Sequence, residues 1–109
     1  ASTRFRFDPS EQSMKPSEAL RLHRDQVRRI VAAHHGRNAR VFGSVLRGDD
    51  EEGSDLDILI DPTPETTLMD IGAIRHELRT LLKVDVDVLT PRGLPEKFRA
   101  QVLADAAPL

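Results

Sequence analysis

The sequence predicts a small α/β (α+β) domain in which one mixed β-sheet is covered by helices. Short segments with alternating apolar residues are typical of strands, and longer segments with apolar residues at helical spacing are typical of amphipathic helices. In chain order they run helix, strand, strand, helix, strand, helix, without an internal repeat. A length of 109 residues suits a single core. We assign this domain to residues 17–109 and interpret residues 1–16 as a flexible arm or an expression-derived segment.

The composition excludes several classes of protein. The chain has no cysteine, which rules out disulfides, thiolate metal sites and cysteine nucleophiles. Its net charge of -2 and its lack of Trp and Tyr argue against direct nucleic-acid binding, which favours basic surfaces and aromatic stacking. No apolar run is long enough for a membrane span, so we expect no membrane partner and a cytoplasmic location.

The first helix is predicted from Ser17 to His35. Ser17 is a plausible N-cap, and Gly36 follows where a left-handed residue commonly ends a helix. One face carries the residues that recur at helical spacing, namely Leu20, His23, Val27, Ile30, Val31 and His34.

Two strands flank a Gly-Ser turn. Residues 39–42 form a short strand candidate, Val45 to Arg47 could form one helical turn, and the acidic stretch 48–54 is expected to be a solvated hairpin tip. Residues 55–61 then alternate in polarity until prolines end the strand. One face carries Leu56, Ile58 and Ile60, and the other carries Asp55, Asp57, Leu59 and Asp61.

The second half of the chain adds two helices and a strand. Thr67-x-x-Asp70 resembles a capping box that opens a helix. The apolar stripe of that helix comprises Leu68, Ile71, Ile74, Leu78, Leu81 and Leu82. Residues 84–89 form the third strand, and a turn containing Pro91 and Gly93 follows it. Pro95 suits the first position of a last helix, whose weak stripe contains Phe98, Val102 and Ala106.

Two aspartates in the second strand are candidate metal ligands. Asp55 and Asp57 stand two residues apart, so both carboxylates leave the same face. They repel each other unless a cation lies between them, and carboxylate oxygens suit Mg²⁺. Asp87 lies among valines in the third strand, where a carboxylate is costly unless it is paired or binds a metal, and Asp85 shares its face. An ordinary exposed sheet face with outward polar residues is the alternative.

The turn after the first strand is a candidate phosphate site. Gly43 allows the backbone to approach a ligand closely, while the N–H groups of the turn and the Ser44 hydroxyl can donate hydrogen bonds to a phosphate. Arg47 could reach the same phosphate. An ordinary turn with a capping serine and a solvent-facing arginine explains these residues equally well on their own.

Taken together, the segments form one ordered pattern. It runs Gly43-Ser44-Val45-Leu46-Arg47-Gly48, then Ser54-Asp55-Leu56-Asp57, then Val86-Asp87-Val88. This pattern resembles the nucleotidyltransferase superfamily of DNA polymerase β, and most closely its minimal, stand-alone bacterial branch. The resemblance covers about residues 17–109. It implies the nucleotidyltransferase fold and a reaction in which a hydroxyl attacks the α-phosphate of a nucleoside triphosphate and pyrophosphate leaves.

The resemblance also implies roles for individual residues. It predicts ATP as the substrate and one or two Mg²⁺ ions as cofactor. Asp87 would bind the catalytic metal and help to activate the attacking hydroxyl, with Asp85 as the alternative to it. The implied catalytic and metal-binding set is Asp55, Asp57 and Asp87, and the implied nucleotide-binding set is Gly43, Ser44 and Arg47.

A protein partner is the last implication of the resemblance. We expect the acceptor to lie on another protein, because the chain has no room after the third strand for an acceptor-binding domain. The stand-alone branch is similar to antitoxins that transfer AMP to a tyrosine of a HEPN-type ribonuclease toxin encoded alongside. Two alternatives are an antitoxin that only binds its toxin, and a small-molecule (antibiotic) nucleotidyltransferase whose second pocket an oligomer would supply.

Overall fold

The computed structural model describes residues 14–109, so residues 1–13 of the arm predicted over residues 1–16 lie outside the described residues. The predicted order of elements is confirmed, and a short fourth strand is added to it. The helices are α1 (Pro16–Ala33), α2 (Ser44–Arg47), α3 (Leu68–Leu82) and α4 (Glu96–Asp105), with a 3-10 turn at Pro91–Gly93. The strands are β1 (Gly36–Phe42), β2 (Leu56–Pro62), β3 (Val86–Leu89) and β4 (Ala107–Pro108).

The strands form one mixed sheet in the order β3-β2-β1-β4. Strand β1 is antiparallel to both β2 and β4, whereas β2 and β3 are parallel. A parallel pair needs a crossover connection, and α3 supplies it. The predicted α/β class with a mixed sheet is therefore confirmed.

Helices α1 and α3 cover one face of the sheet and contact each other there. The predicted inward residues of β2 are completely buried in this core, together with residues from both helices. The central members of the core are Leu20, Val27, Val31, Leu56, Ile58, Ile60, Ile74, Leu78 and Val86. The opposite face of β2 therefore carries the alternate residues, including Asp57.

The first helix starts differently from the prediction. It begins at Pro16, with Lys15 rather than Ser17 as its N-cap. The Ser17 backbone N–H instead donates a hydrogen bond of 2.9 Å to the Asp50 carboxylate. Asp50 is only 5% exposed, so the acidic loop is anchored to α1 and is not the wholly solvated tip that its composition predicts.

The end of the first helix also corrects the prediction. The helix ends at Ala33, and the residue with positive φ is His35 (66°), not Gly36. Gly36 begins β1 and is buried. A Cβ atom on Gly36 would lie 2.8 Å from Val31 Cγ1 and 3.2 Å from Ile60 Cδ1. Position 36 requires glycine because there is no space for a Cβ atom, and not because its backbone is left-handed.

Helix α3 opens with the predicted capping box. The Asp70 N–H donates to Thr67 Oγ1 at 3.1 Å, and the Thr67 N–H donates to Asp70 Oδ2 at 2.9 Å. The backbone hydrogen bond from Thr67 is the main cause that lowers the Asp70 pKa. Leu68 of the predicted stripe is 86% exposed, whereas Ile74 of the same stripe is completely buried.

The last helix packs more loosely than its predicted stripe suggests. Pro95 is the N-cap rather than the first helical residue, and α4 has no fully buried side chain. Phe98 is 54% exposed. The Arg99 side chain instead connects α4 to the preceding turn, because it donates hydrogen bonds to the carbonyls of Pro91 (2.8 Å) and Leu94 (2.9 Å).

Two glycine substitutions should therefore have opposite effects on stability. Gly36→Ala should lower the free energy of unfolding by about 1–3 kcal/mol, because its Cβ overpacks the core. Gly72→Ala in α3 has nothing within 4 Å of its Cβ, and should raise stability by about 0.5–1 kcal/mol through helix propensity. Urea unfolding measures both. Equal effects of the two substitutions would contradict the packing at Gly36.

Candidate active site

Asp57 lies on the sheet face opposite helices α1 and α3, and it is partly buried there. In the strand register, Asp57 is opposite Phe42 of β1 on one side and Asp87 of β3 on the other. Paired positions on neighbouring strands point to the same face. The structure therefore brings Asp57 and Asp87 together, and Asp55 stands immediately before β2 on the same side.

The alternative carboxylate, Asp85, has a different environment. Strand β3 begins at Val86, so Asp85 lies outside the ladder that was predicted to start at residue 84. Its carboxylate forms an ion pair of 3.3 Å with Arg79 of α3. Its carbonyl accepts a 2.8 Å hydrogen bond from the Leu56 N–H. The structure thus aligns Asp57 with Asp87, places Asp55 near enough to raise the pKa of Asp57, and pairs Asp85 with Arg79 instead.

Gly43 brings the turn after β1 against the second strand. It has a φ of +78°, which favours glycine, and a Cβ on it would collide with Asp57 Oδ2. The Asp57 carboxylate thus lies directly against the Gly43 backbone. Ser44 is the first residue of α2, whose opening N–H groups have no partner within the helix and are available to an anion. The candidate phosphate donors and Asp57 are therefore immediate neighbours.

Arg47, the last residue of α2, lies close enough to Asp57 for its positive charge to lower the pKa of that carboxyl. Its side chain is largely exposed and donates a 3.3 Å hydrogen bond to Asp49. This exposed pair contributes little to stability. Arg47 can therefore exchange Asp49 for a phosphate at small cost.

Partial burial and two neighbouring carboxylates raise the pKa of Asp57 from 3.8 to about 6. Partial burial is the largest cause, and the negative charges of Asp87 and Asp55 add to it against the opposing charge of Arg47. A cation would relieve this repulsion. The shift therefore reflects a partly buried carboxylate with two further negative charges near it.

The donor set fits Mg²⁺ in its chemistry. Within residues 14–109, no group of three or more His, Cys, Asp or Glu side chains has an arrangement that could hold a metal ion by itself. Mg²⁺ does not require such an arrangement, since it usually keeps several waters and uses one or two carboxylates together with substrate phosphates. Asp55, Asp57 and Asp87 supply hard oxygen ligands, and the neighbouring turn supplies the place for phosphates.

An α/β fold with a Gly-Ser turn against an Asp-x-Asp motif at the start of one strand, and a third aspartate on the parallel neighbouring strand, is typical of a nucleotidyltransferase. A comparison with family models agrees, because the nucleotidyltransferase domain family matches residues 20–109. The chain belongs to this family and is an enzyme of the nucleotidyltransferase class.

Curated relatives carry more specific names. A Methanocaldococcus jannaschii protein, provisionally named a protein adenylyltransferase, is 32% identical over 77 residues, which are 71% of this chain and 83% of that protein. The protein adenylyltransferase MntA of Thermococcus cleftensis is 30% identical over 86 residues, covering 79% of this chain and 84% of MntA. This chain is thus similar to proteins named for AMP transfer to protein.

Solved structures share the fold. A structure provisionally described as a minimal nucleotidyltransferase has a TM-score of 0.77 and 43% identity, covering 85% of this chain and 95% of that chain. A toxin–antitoxin structure with AMP-PNP has a TM-score of 0.66 and 19% identity, covering 77% of this chain and 69% of that chain. The second likeness, at this low identity, shows the fold alone.

Some features of the site were not visible in the sequence. The position of Phe42 beside Asp57 follows from strand register, and the Arg79–Asp85 pair joins α3 to β3. The burial of Asp50 could not be predicted, because nothing in the sequence distinguishes it from its acidic neighbours in the loop.

The raised pKa of Asp57 predicts a pH-dependent stability. Because the folded-state pKa exceeds the unfolded value, stability should fall as pH rises from about 4 to about 6 and stay lower above that. Asp57→Asn should therefore stabilise the protein at pH 8 by about 1–2 kcal/mol, after discounting for solvent screening, and by less at pH 5.

Urea unfolding without divalent cations measures this effect. Asp25→Asn is the matched control, because it removes an exposed carboxylate that pairs with Arg28 on α1, away from the site. An Asp57→Asn stabilisation that is the same at pH 5 and pH 8 would contradict the proposed electrostatic origin.

Proposed function

We propose that this chain transfers AMP from ATP to a hydroxyl group of a partner protein, with Mg²⁺ as cofactor. The single observation that carries the proposal is the register of Asp57 beside Asp87, with the Asp57 carboxylate resting on the Gly43 turn. Names of the relatives support the choice of AMP and of a protein acceptor. The proposed acceptor is a tyrosine of a HEPN-type ribonuclease toxin, which makes this chain an antitoxin.

We assign some of these residues to binding the nucleotide and others to activating the acceptor. Gly43 and Ser44 would hold the triphosphate through backbone N–H groups and the serine hydroxyl, and Arg47 would neutralise phosphate charge. Asp87 stands on the side of Asp57 away from the turn, where it can accept the proton of the acceptor hydroxyl. The hydroxyl oxygen bonds to the α-phosphorus, the bond to the bridging oxygen breaks, and pyrophosphate leaves.

The three carboxylates are assigned to metal binding. When bound, Mg²⁺ would neutralise phosphate charge and make the acceptor hydroxyl more acidic. Asp55, Asp57 and Asp87 would hold it, and Asp57 is mostly ionised at pH 7.5 because its pKa is about 6. The remaining contribution of the protein is positioning, which is the main demand of phosphoryl-transfer chemistry.

The proposed location is the cytoplasm, where ATP and a ribonuclease toxin would both be present. No helix within residues 14–109 is long and apolar enough to cross a membrane. We propose no direct contact of this chain with nucleic acid, since its net charge is -2.

Transfer can be tested with ATP labelled on the α-phosphate, added with Mg²⁺ to the protein and a lysate of its source cells. Wild type should move label to one separate protein band that survives alkali. Asp57→Asn should lower the rate at least about 100-fold, as expected when a preorganised electrostatic group is lost. Asp25→Asn on α1 should retain it.

Three outcomes separate the candidate functions. Label on a protein with wild type only supports AMP transfer to protein. Equal neutralisation of a toxin by wild type and Asp57→Asn, without label, would favour an antitoxin that acts by binding. Label on a small molecule alone would favour the small-molecule enzyme.

The turn can be tested separately through its glycine. Gly43→Ala should abolish transfer and weaken ATP binding more than about tenfold, because the new Cβ collides with Asp57 in addition to straining the backbone. Gly53→Ala is the matched control, since Gly53 also has positive φ (90°) but nothing lies within 4 Å of its Cβ. Isothermal titration and transfer rates measure both. Equal losses in the two variants would show that backbone strain alone is responsible.

A further inference from the structure

Strand β3 carries Asp87 at the edge of the sheet. In the order β3-β2-β1-β4, this strand has a neighbour on one side only, and it is four residues long. An edge strand presents a row of backbone N–H and C=O groups that no partner strand binds. The position of Asp87 opposite Asp57 therefore depends on the bonds that hold β3 against β2 and on those that hold its free edge.

The inner side of β3 bonds to β2 through the backbone around Asp87. The Leu56 N–H donates a 2.8 Å hydrogen bond to the Asp85 carbonyl, and Leu56 is paired with Val86. In a parallel ladder of this register, the following bond runs from the Asp87 N–H to the Leu56 carbonyl. The Val86 carbonyl belongs to the same planar trans peptide group as that N–H, so it points the opposite way, to the free edge.

Arg75 of helix α3 binds this outward carbonyl. Its Nε donates a 3.0 Å hydrogen bond to the Val86 carbonyl, in a partly buried position. Hydrogen bonds from a charged donor are stronger than neutral ones, and partial withdrawal from water strengthens them further. The peptide group that directly precedes Asp87 is thus held on both sides, by β2 inside the sheet and by Arg75 at its edge.

The next arginine of α3 makes a different kind of contact. Arg79 forms an ion pair of 3.3 Å with the Asp85 side chain, and the two side chains are 46% and 68% exposed. An exposed pair of this kind contributes little to stability. The contact is to a side chain that precedes β3, whereas Arg75 contacts the backbone of the strand. Arg79 therefore offers a comparison for Arg75, with the same charge one helical turn away.

We propose that Arg75 is a positioning residue for the transfer reaction. By fixing the peptide group before Asp87, it fixes the distance and the direction of the Asp87 carboxylate relative to Asp57. The inference rests on the proposed function, in which Asp87 binds the metal and accepts the proton of the acceptor hydroxyl. Small displacements of such a group are costly, because a misplacement of about 1 Å can lower a rate by about 100-fold.

Steady-state kinetics with the acceptor protein found in the labelling experiment tests this role. Arg75→Met keeps the length of the side chain but puts a methyl carbon in the place of Nε, so the donor is lost. It should lower kcat about tenfold and leave the KM values for ATP and acceptor within about twofold of wild type. Arg75→Lys retains a donor and should recover most of kcat. Arg79→Met, the matched control, should keep the wild-type kcat.

Hydrogen exchange, followed by NMR without substrate or metal, gives a second readout that does not depend on activity. Local opening of β3 exposes the Asp87 N–H to exchange. This amide should exchange about tenfold faster in Arg75→Met than in wild type, whereas the amides of the central strand β1 should be unchanged. Arg79→Met should leave the exchange of the Asp87 amide as it is in wild type.

The outcomes distinguish the positioning role from the proposed function. If wild type transfers AMP to a protein but Arg75→Met keeps the wild-type kcat, the positioning role is overturned and the proposed function stands. Equal losses of kcat in Arg75→Met and Arg79→Met, or no recovery with Arg75→Lys, would also overturn it, because the hydrogen bond would then not be the cause. Unchanged exchange of the Asp87 amide overturns it as well. If wild type transfers no AMP to protein, the proposed function fails and the positioning role fails with it.

Discussion

The contact between Gly43 and the Asp57 carboxylate holds the candidate site together. It joins the turn after β1 to the middle of β2, and it exists because these strands are antiparallel and Phe42 pairs with Asp57. Only glycine permits both the positive φ and the close approach. The candidate phosphate-binding turn and the strand with the candidate metal ligands are thus in direct contact, and the distance between them is set by the sheet. Such positioning is what phosphoryl transfer requires from a protein.

The position of Asp57 against Gly43 also makes its ionised form unfavourable. Asp57 is partly withdrawn from water while Asp55 and Asp87 stand near it, and the resulting repulsion is opposed only in part by Arg47. The fold tolerates this because Asp57 is only partly buried, on the sheet face opposite α1 and α3, where solvent can screen its charge, while these two helices build the apolar core on the other face. A site that destabilises the empty protein is one that a metal–nucleotide complex can stabilise.

Sequence patterns predicted a structural feature correctly where residues close together in the chain produce that feature. The capping box of Thr67 and Asp70 depends on two residues three apart, and it was recognised correctly. The ends of α1 were misjudged because they depend on distant groups: Asp50 accepts the N–H of Ser17, and crowding by Val31 and Ile60 explains Gly36. Leu68 fits the periodicity of α3 but lies beyond the reach of the core.

The sequence by itself determined the order of the elements, the Gly-Ser and Asp-x-Asp motifs and the family that they resemble. Alternation of polarity, helical spacing and turn-forming residues depend only on residues that are close together in the chain. It left Asp85 and Asp87 as alternatives, since both share one strand face. Only the tertiary structure separated them: β3 begins at Val86, Asp87 aligns with Asp57, and Arg79 pairs with Asp85. Which strands are neighbours, in which register, and which helix reaches their edge depend on packing across the whole chain, and no local pattern encodes that.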